Sequence, residues 1–217
     1  VNSVVKETLD RNKFKNAIIR LTITRGINEP SFQIDQEVAP TLVIHARPHQ
    51  PLPKSIYYKG VNISLISMQA SVLLGVNQSL KTCNYLSNIL LLKFSQLQGS
   101  MEGIIVDPIL GVTEGATSNL FIVKDGILKT PASNNSVLDG ITRQVVLEIA
   151  MNHKVPVSKG LLVSEDIYNA DEIFITNSGI DIVPVVRVDD KPVGNKKPGI
   201  LTNFLRDEFL KCIEEEL

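Results

Sequence analysis

The hydrophobic positions of this chain fall into two periods. Residues 17–24 hold Ile18, Ile19, Leu21 and Ile23 in a partly alternating run that predicts a strand ending at Arg25-Gly26. Similar short apolar runs predict strands over 40–45, 60–68, 103–106, 119–123, 127–130, 172–176 and 181–188, the last interrupted by Pro184. Helical spacing predicts helices over 4–15, 85–98, 141–150 and 201–217. Leu86, Ile89, Leu90, Phe94 and Leu97 share one face of the second of these. Ile141, Val145, Val146 and Ile149 share a face of the third, and Leu201, Phe204, Leu205, Phe209, Cys212 and Ile213 a face of the last. Asp125-Gly126 between two apolar runs predicts a hairpin, because glycine takes a positive φ cheaply. Pro48, Pro51 and Pro53 exclude helix and central strand from 47–54, so a linker is expected there and a domain boundary near residue 57. Hairpins mixed with helices predict an α+β architecture, not a doubly wound parallel sheet. No internal repeat or low-complexity segment interrupts the pattern.

Composition narrows the picture only a little. With 217 residues, 43% of them hydrophobic, the chain can bury the core of one large domain or two modest ones. A formal charge of −1 gives no basic surface for nucleic acid and no acidic tail. Cys83 and Cys212 fit neither a metal-binding nor a disulfide spacing, so no metal is expected, and a reduced, cytoplasmic setting is. The polar start reads as no signal peptide, and the longest apolar run, 89–92, is too short to cross a bilayer.

Four short stretches could carry chemistry. Lys81, in Leu80-Lys81-Thr82-Cys83-Asn84-Tyr85, has uncharged neighbours; a lysine partly desolvated there is a Schiff-base candidate, though a lone lysine also reads as ordinary surface. Glu114 lies among small residues in Gly111-Val112-Thr113-Glu114-Gly115-Ala116-Thr117-Ser118-Asn119, just before an expected strand; it either faces a ligand or caps its own turn. Asp139-Gly140-Ile141-Thr142-Arg143 opens a helix, where backbone N–H groups and a hydroxyl suit a phosphate; a plain N-terminus capped by Asp139 or Thr142 is the alternative. Thr176-Asn177-Ser178-Gly179 closes an apolar strand and reads as a ligand-facing cluster or as a turn. Taken in order, a lysine, a carboxylate and two phosphate-friendly turns are the groups a pyridoxal-phosphate enzyme requires. The lysine forms the Schiff base, the acid keeps the pyridine nitrogen protonated, and backbone amides take the phosphate.

These residues resemble the class IV aminotransferase family, the fold-type IV pyridoxal-phosphate enzymes. The resemblance begins at Arg20-Leu21-Thr22-Ile23-Thr24-Arg25-Gly26 and is densest from Lys81 to Gly199, with 112–121 and 139–143 its most specific parts. It implies a small N-terminal α/β domain, of which 1–56 is the remainder, and a larger domain over 57–217 with a mixed, barrel-like sheet and helices. It implies that Lys81 carries the cofactor and shuttles the proton, and that Glu114 pairs with the pyridine nitrogen. Ile141 and Thr142 would bind the phosphate, Asn177 and Ser178 would complete that site, and Tyr85 would meet the phenolic oxygen. A homodimer with a small-molecule amino substrate is also implied. Family members carry about seventy more residues at the start, among them a phosphate-binding arginine, so the start of this chain is expected to be missing.

Within the family, the expectation falls on 4-amino-4-deoxychorismate lyase, which releases pyruvate and 4-aminobenzoate for folate biosynthesis. Thr24-Arg25-Gly26-Ile27 is not followed by the Arg-x-His pair of D-amino-acid aminotransferases, and Thr176-Asn177-Ser178 lacks the Gly-Thr of branched-chain aminotransferases. Those two aminotransferases are the alternative expectation, with 125–143 close to the D-amino-acid enzymes. A non-catalytic remnant of the fold is the last.

Overall fold

The structure, a computed structural model, describes residues 1–27, 38–67, 80–133 and 137–216. Met68 and Leu217, the last residues of two expected elements, lie outside the described residues. The chain forms two compact units, Val1–Pro51 and Leu52–Leu217.

The first unit holds a helix, α1 (Asn2–Asn12), and two antiparallel strands, β1 (Ala17–Thr24) and β2 (Thr41–Pro48), paired in unbroken register from Ala17 opposite Pro48 to Thr24 opposite Thr41. Strand β2 takes in Arg47 and Pro48, which the three prolines had assigned to a linker. At the end of an edge strand a missing N–H costs nothing, so Pro48 is tolerated.

The second unit starts with α2 (Lys54–Lys59), and the boundary expected near 57 falls inside it. Its Ile56 and Tyr57 pack on the core of this unit. The elements that follow are β3 (Val61–Ser67), α3 (Leu86–Leu97), β4 (Glu102–Asp107), β5 (Gly111–Gly115), β6 (Asn119–Lys124), β7 (Ile127–Pro131), α4 (Ile141–Asn152), β8 (Val157–Gly160), α5 (Ser164–Tyr168), β9 (Glu172–Asn177), β10 (Asp181–Val188), β11 (Lys191–Pro192) and α6 (Ile200–Glu216). Eight strands follow the order β5-β4-β3-β10-β9-β6-β7-β8, with β11 on β10. Pairs β3–β4, β3–β10 and β7–β8 are parallel and the rest antiparallel, so the sheet is mixed. The sheet curls. Its edge strand β5 comes back beside the start of β6, where the Gly115 amide donates to the Ser118 carbonyl at 2.7 Å.

The central strands are buried on both faces, which is why they read as continuous apolar runs. Along β6, Leu120 and Ile122 enter one core with Ile173, Ile175, Val183 and Val185. Phe121 and Val123 point the other way, into a second core closed by Val146, Leu147 and Ala150 of α4 and Leu205 and Phe209 of α6. Phe121 and Phe174 stack there, ring centroids 4.8 Å apart. Pro184 does not interrupt β10: it pairs with Phe174 on β9, and the ladder to β3 starts only at Val185. The Lys124-Asp125-Gly126 hairpin forms as expected, with φ of 51° and 74° at Asp125 and Gly126.

Helix α3 turns its shared apolar face outward. The face carrying Leu86, Ile89, Leu90, Phe94 and Leu97 does not pack on the core; these residues are 65%, 62%, 45%, 53% and 72% exposed in the single chain. The opposite side, with Leu91 and Ser95, meets the sheet instead.

Candidate active site

One pocket of about 660 Å³ opens in the second unit. Four chain segments build it: 80–88 leading into and along α3, 114–119 from β5 to β6, 138–142 entering α4, and 176–179 leaving β9. Lys81, Tyr85, Glu114, Ile141, Thr142, Asn177 and Ser178, scattered through the sequence, all line it.

Lys81 stands on the irregular segment ahead of α3 and is exposed in the single chain, with Thr82 and Cys83 beside it. The partial desolvation expected from its uncharged neighbours is therefore not provided by them, because they are exposed too. Its ammonium charge nevertheless acts on Glu114.

Glu114 lies within β5, and the strand expected just after it is β6. Its Oε2 accepts the Leu138 amide at 2.8 Å and, at the long distance of 3.4 Å, the Asn119 Nδ2. Burial pushes its carboxyl up to about 7, against the Leu138 amide and the charges of Lys81 and Arg143, while the Glu102 carboxylate adds to the rise. A carboxyl at that value is short of positive partners. A protonated pyridine nitrogen is the kind of group that would supply one.

Gly140 is the extended N-cap of α4, and no side chain among the described residues caps the helix. Asp139, one of the expected caps, instead accepts from Arg143 Nη1 at 2.7 Å and Gln144 Nε2 at 3.0 Å. Arg143, 2% exposed, also donates to the Pro131 carbonyl at 2.9 Å. The first amides of α4 thus keep their free donors toward the pocket, aided by the helix dipole. A Cβ at Gly140 would lie 2.2 Å from Asn119 Oδ1, so the turn closes onto Asn119 only because residue 140 has no side chain.

At the end of β9, the Asn177 side chain is already engaged. Its Nδ2 donates to the Thr117 carbonyl at 3.0 Å, and its Oδ1 accepts the amides of Gly179 and Ile180 at 2.7 and 3.0 Å. The second Nδ2 proton and the backbone amide remain for a ligand, while Ser178 is exposed at the rim. Beneath them Thr176 is fully buried and its hydroxyl has no hydrogen-bond partner.

Sequence reasoning missed Glu102 and Asn88, and it placed Asn119 and Thr176 within their motifs without giving either a role of its own. Glu102 carried a faint signal, as a lone acid directly before the apolar run 103–106. A Cβ at Gly115 would meet Ser118 Oγ at 2.5 Å and Glu102 Cγ at 3.0 Å, so the smallness of this residue serves the packing behind the pocket.

An amine, an under-partnered acid, an uncapped helix start and an orphaned hydroxyl fit a ring compound bearing an aldehyde, a basic nitrogen and a phosphate. Comparison with known proteins agrees. The model of the amino-transferase class IV family matches residues 1–188. A Methanocaldococcus jannaschii protein assigned as a branched-chain-amino-acid aminotransferase is 36% identical over 206 residues, covering 95% of this chain and 70% of the relative. The D-alanine aminotransferase of Staphylococcus aureus strain MSSA476 is 29% identical over 214 residues, covering 96% and 72%. Among solved structures, a T.th. branched-chain amino acid aminotransferase with pyridoxamine 5′-phosphate superposes with a TM-score of 0.84 at 25% identity, covering 95% of this chain and 68% of that one. A Legionella pneumophila structure described as a 4-amino-4-deoxychorismate lyase shares the fold, with a TM-score of 0.81 at 21% identity over 97% of this chain and 74% of that one. The chain belongs to the amino-transferase class IV family. It is a pyridoxal-phosphate enzyme of the fold-type IV architecture.

Proposed function

We propose that this chain is an aminotransferase acting on a branched-chain amino acid, with Lys81 as its catalytic residue. The observation that carries the reading is that Lys81, Glu114 and the free amides of Ile141 and Thr142 converge on one pocket. The 36% identical relative, assigned as a branched-chain-amino-acid aminotransferase, supports the substrate class. The absence of an Arg-x-His pair after Gly26 argues in the same direction against a D-amino-acid substrate. The similarity to aminotransferases displaces the lyase as the leading expectation, since the lyase-like neighbour supports the fold alone.

Pyridoxal phosphate, when bound, supplies an aldehyde that takes up the substrate amine and a ring that stores the electrons of the broken C–H bond. Lys81 Nζ would hold the aldehyde carbon at rest and, once displaced, move the proton at the substrate α-carbon. Glu114 would face the ring nitrogen, and with a carboxyl near 7 it holds or yields a proton there in the neutral range. The Ile141 and Thr142 amides, the Thr142 hydroxyl and the backbone at Asn177 and Ser178 would take the phosphate. Tyr85, the residue preceding α3, would approach the phenolic oxygen.

The test is an assay of purified protein with pyridoxal phosphate. A visible absorption band that borohydride bleaches is expected, lost in Lys81→Ala, together with amino transfer from leucine, isoleucine or valine to 2-oxoglutarate. Transfer from D-alanine alone would move the assignment to the D-amino-acid enzymes; 4-aminobenzoate release without transfer would restore the lyase. We also propose a homodimer, supported by the exposed apolar face of α3. Light scattering should give twice the chain mass, and Ile89→Glu with Leu97→Glu should shift it toward the monomer. A wild-type monomer would rule the dimer out.

A further inference from the structure

We propose that Glu102 is a positioning residue which fixes the polarity of one pocket wall, an inference that rests on the cofactor reading above. Glu102, 2% exposed at the start of β4, sits behind the turn 115–118 that joins β5 to β6. Its Oε1 accepts the Gly103 amide at 3.0 Å and, at 3.1 Å, the Ala116 amide, which also donates to the Gly103 carbonyl at 3.0 Å. Its Oε2 accepts the Thr117 amide at 3.1 Å, the Thr117 hydroxyl at 2.7 Å and the Ser118 hydroxyl at 3.0 Å. The Gly115 amide is taken by the Ser118 carbonyl. Two further anchors grip the same turn from outside: Asn88 on α3 donates to the Ala116 carbonyl at 2.7 Å, and Asn177 donates to the Thr117 carbonyl.

The consequence is chemical as well as mechanical. Residues 115–118 line the pocket, yet the amides of Gly115, Ala116 and Thr117 and both hydroxyl protons point away from it, mostly toward a buried anion. A hydroxyl that gives its proton to a carboxylate presents only lone pairs on its other side. This wall therefore offers acceptors and suits N–H and O–H groups of a ligand. The free donors lie at the Gly140–Thr142 end, so an anionic group is steered there. One carboxylate, touching no ligand itself, sets which way round the pocket is read.

The matched control is Glu172, which does similar work away from the pocket: it accepts the Leu201 amide at 3.1 Å and the amide and hydroxyl of Thr202, each at 2.7 Å, at the start of α6. Thermal midpoints of the apo-proteins and pyridoxal-phosphate affinities should be measured for wild type, Glu102→Gln, Glu172→Gln and Ser118→Ala. Both glutamine variants should lower the midpoint. Only Glu102→Gln should weaken cofactor affinity, by roughly tenfold, while Glu172→Gln stays within about twofold of wild type. Ser118→Ala, which removes one donor and keeps the fold, should weaken affinity about threefold, and it decides the matter if Glu102→Gln does not fold. Ser118→Ala binding as wild type does, or Glu172→Gln binding as weakly as Glu102→Gln, overturns the inference. Wild-type protein that takes up no cofactor overturns the functional reading, and this inference with it.

Discussion

Two glutamates on neighbouring strands, Glu102 of β4 and Glu114 of β5, are buried to different ends. Glu102 faces inward and is saturated: three amides and two hydroxyls donate to it. Glu114 faces the pocket and takes one good amide and one long contact, both on Oε2. The cost of burying an anion is offset for the first by donors and left standing for the second, whose carboxyl is pushed up to about 7. Position in the chain does not distinguish a structural acid from a functional one; the supply of donors does. One acid is satisfied by the turn beside it, and the other is left short of donors in the pocket wall.

The strongest way to break this contrast is to make both acids neutral. Glu114→Gln should keep the Leu138 hydrogen bond yet lower transamination by about 100- to 1,000-fold, the usual range for losing one preorganised electrostatic partner. Its effect on the stability of the apo-protein should have the opposite sign. The folded-state value of Glu114 lies above the ordinary 4.5, so between 4.5 and about 7 the unfolded chain loses its proton first. Wild-type stability therefore falls as pH rises through that window. Glu114→Gln should be the more stable protein at pH 8, by on the order of 3 kcal/mol, with the difference gone near pH 4. Urea denaturation at the two pH values checks it; a destabilised Glu114→Gln at pH 8 would mean that Glu114 is as well partnered as Glu102.

The same contrast explains what was legible in the sequence. Lys81, Glu114 and Thr142 stand in motifs whose residue types suit a ligand, and the order of residues along the chain pointed to them as the candidates that one pocket brings together. Glu102 belongs to no such motif, because its partners are mostly backbone amides and two hydroxyls from a turn fourteen to sixteen residues away. Strand β5 was hidden for a related reason: Gly111–Gly115 is short and mostly small or polar, so its identity comes from pairing with β4, not from apolar periodicity. In α3 the pattern reported an apolar face correctly but could not say what covers it, and in the single chain that face stays largely exposed. Central strands β6, β9 and β10 were plain because burial on both faces leaves little freedom of composition.

A smaller effect should follow from crowding the turn proposed to take the phosphate. Gly140→Ala places a Cβ against Asn119 Oδ1, which must shift, and Asn119 in turn holds both Glu114 and the Leu138 carbonyl. Overpacking of this sort costs about 1–3 kcal/mol. Because the strain falls where the cofactor would bind, most of it should appear as weaker pyridoxal-phosphate affinity, roughly tenfold, measured by absorbance titration. Unchanged affinity with lowered thermal stability would assign the turn to packing alone.

The smallest effect belongs to Asp139, which is half exposed and pairs with the buried Arg143. Asp139→Asn keeps an acceptor for the guanidinium but removes its countercharge, so a loss of about 1 kcal/mol is expected at neutral pH. Hydrogen bonds from Gln144, then the charge of Arg143, hold the Asp139 carboxyl below its ordinary 3.8. Its contribution is therefore complete above that value and lost as pH falls through the lower, folded-state value. The stability difference between wild type and Asp139→Asn should thus close in acid, while that for Glu114→Gln opens as pH rises toward 7. Two carboxylates on the same pocket rim titrating with opposite signs would separate the acid with partners from the acid without them, and parallel pH profiles would remove the distinction.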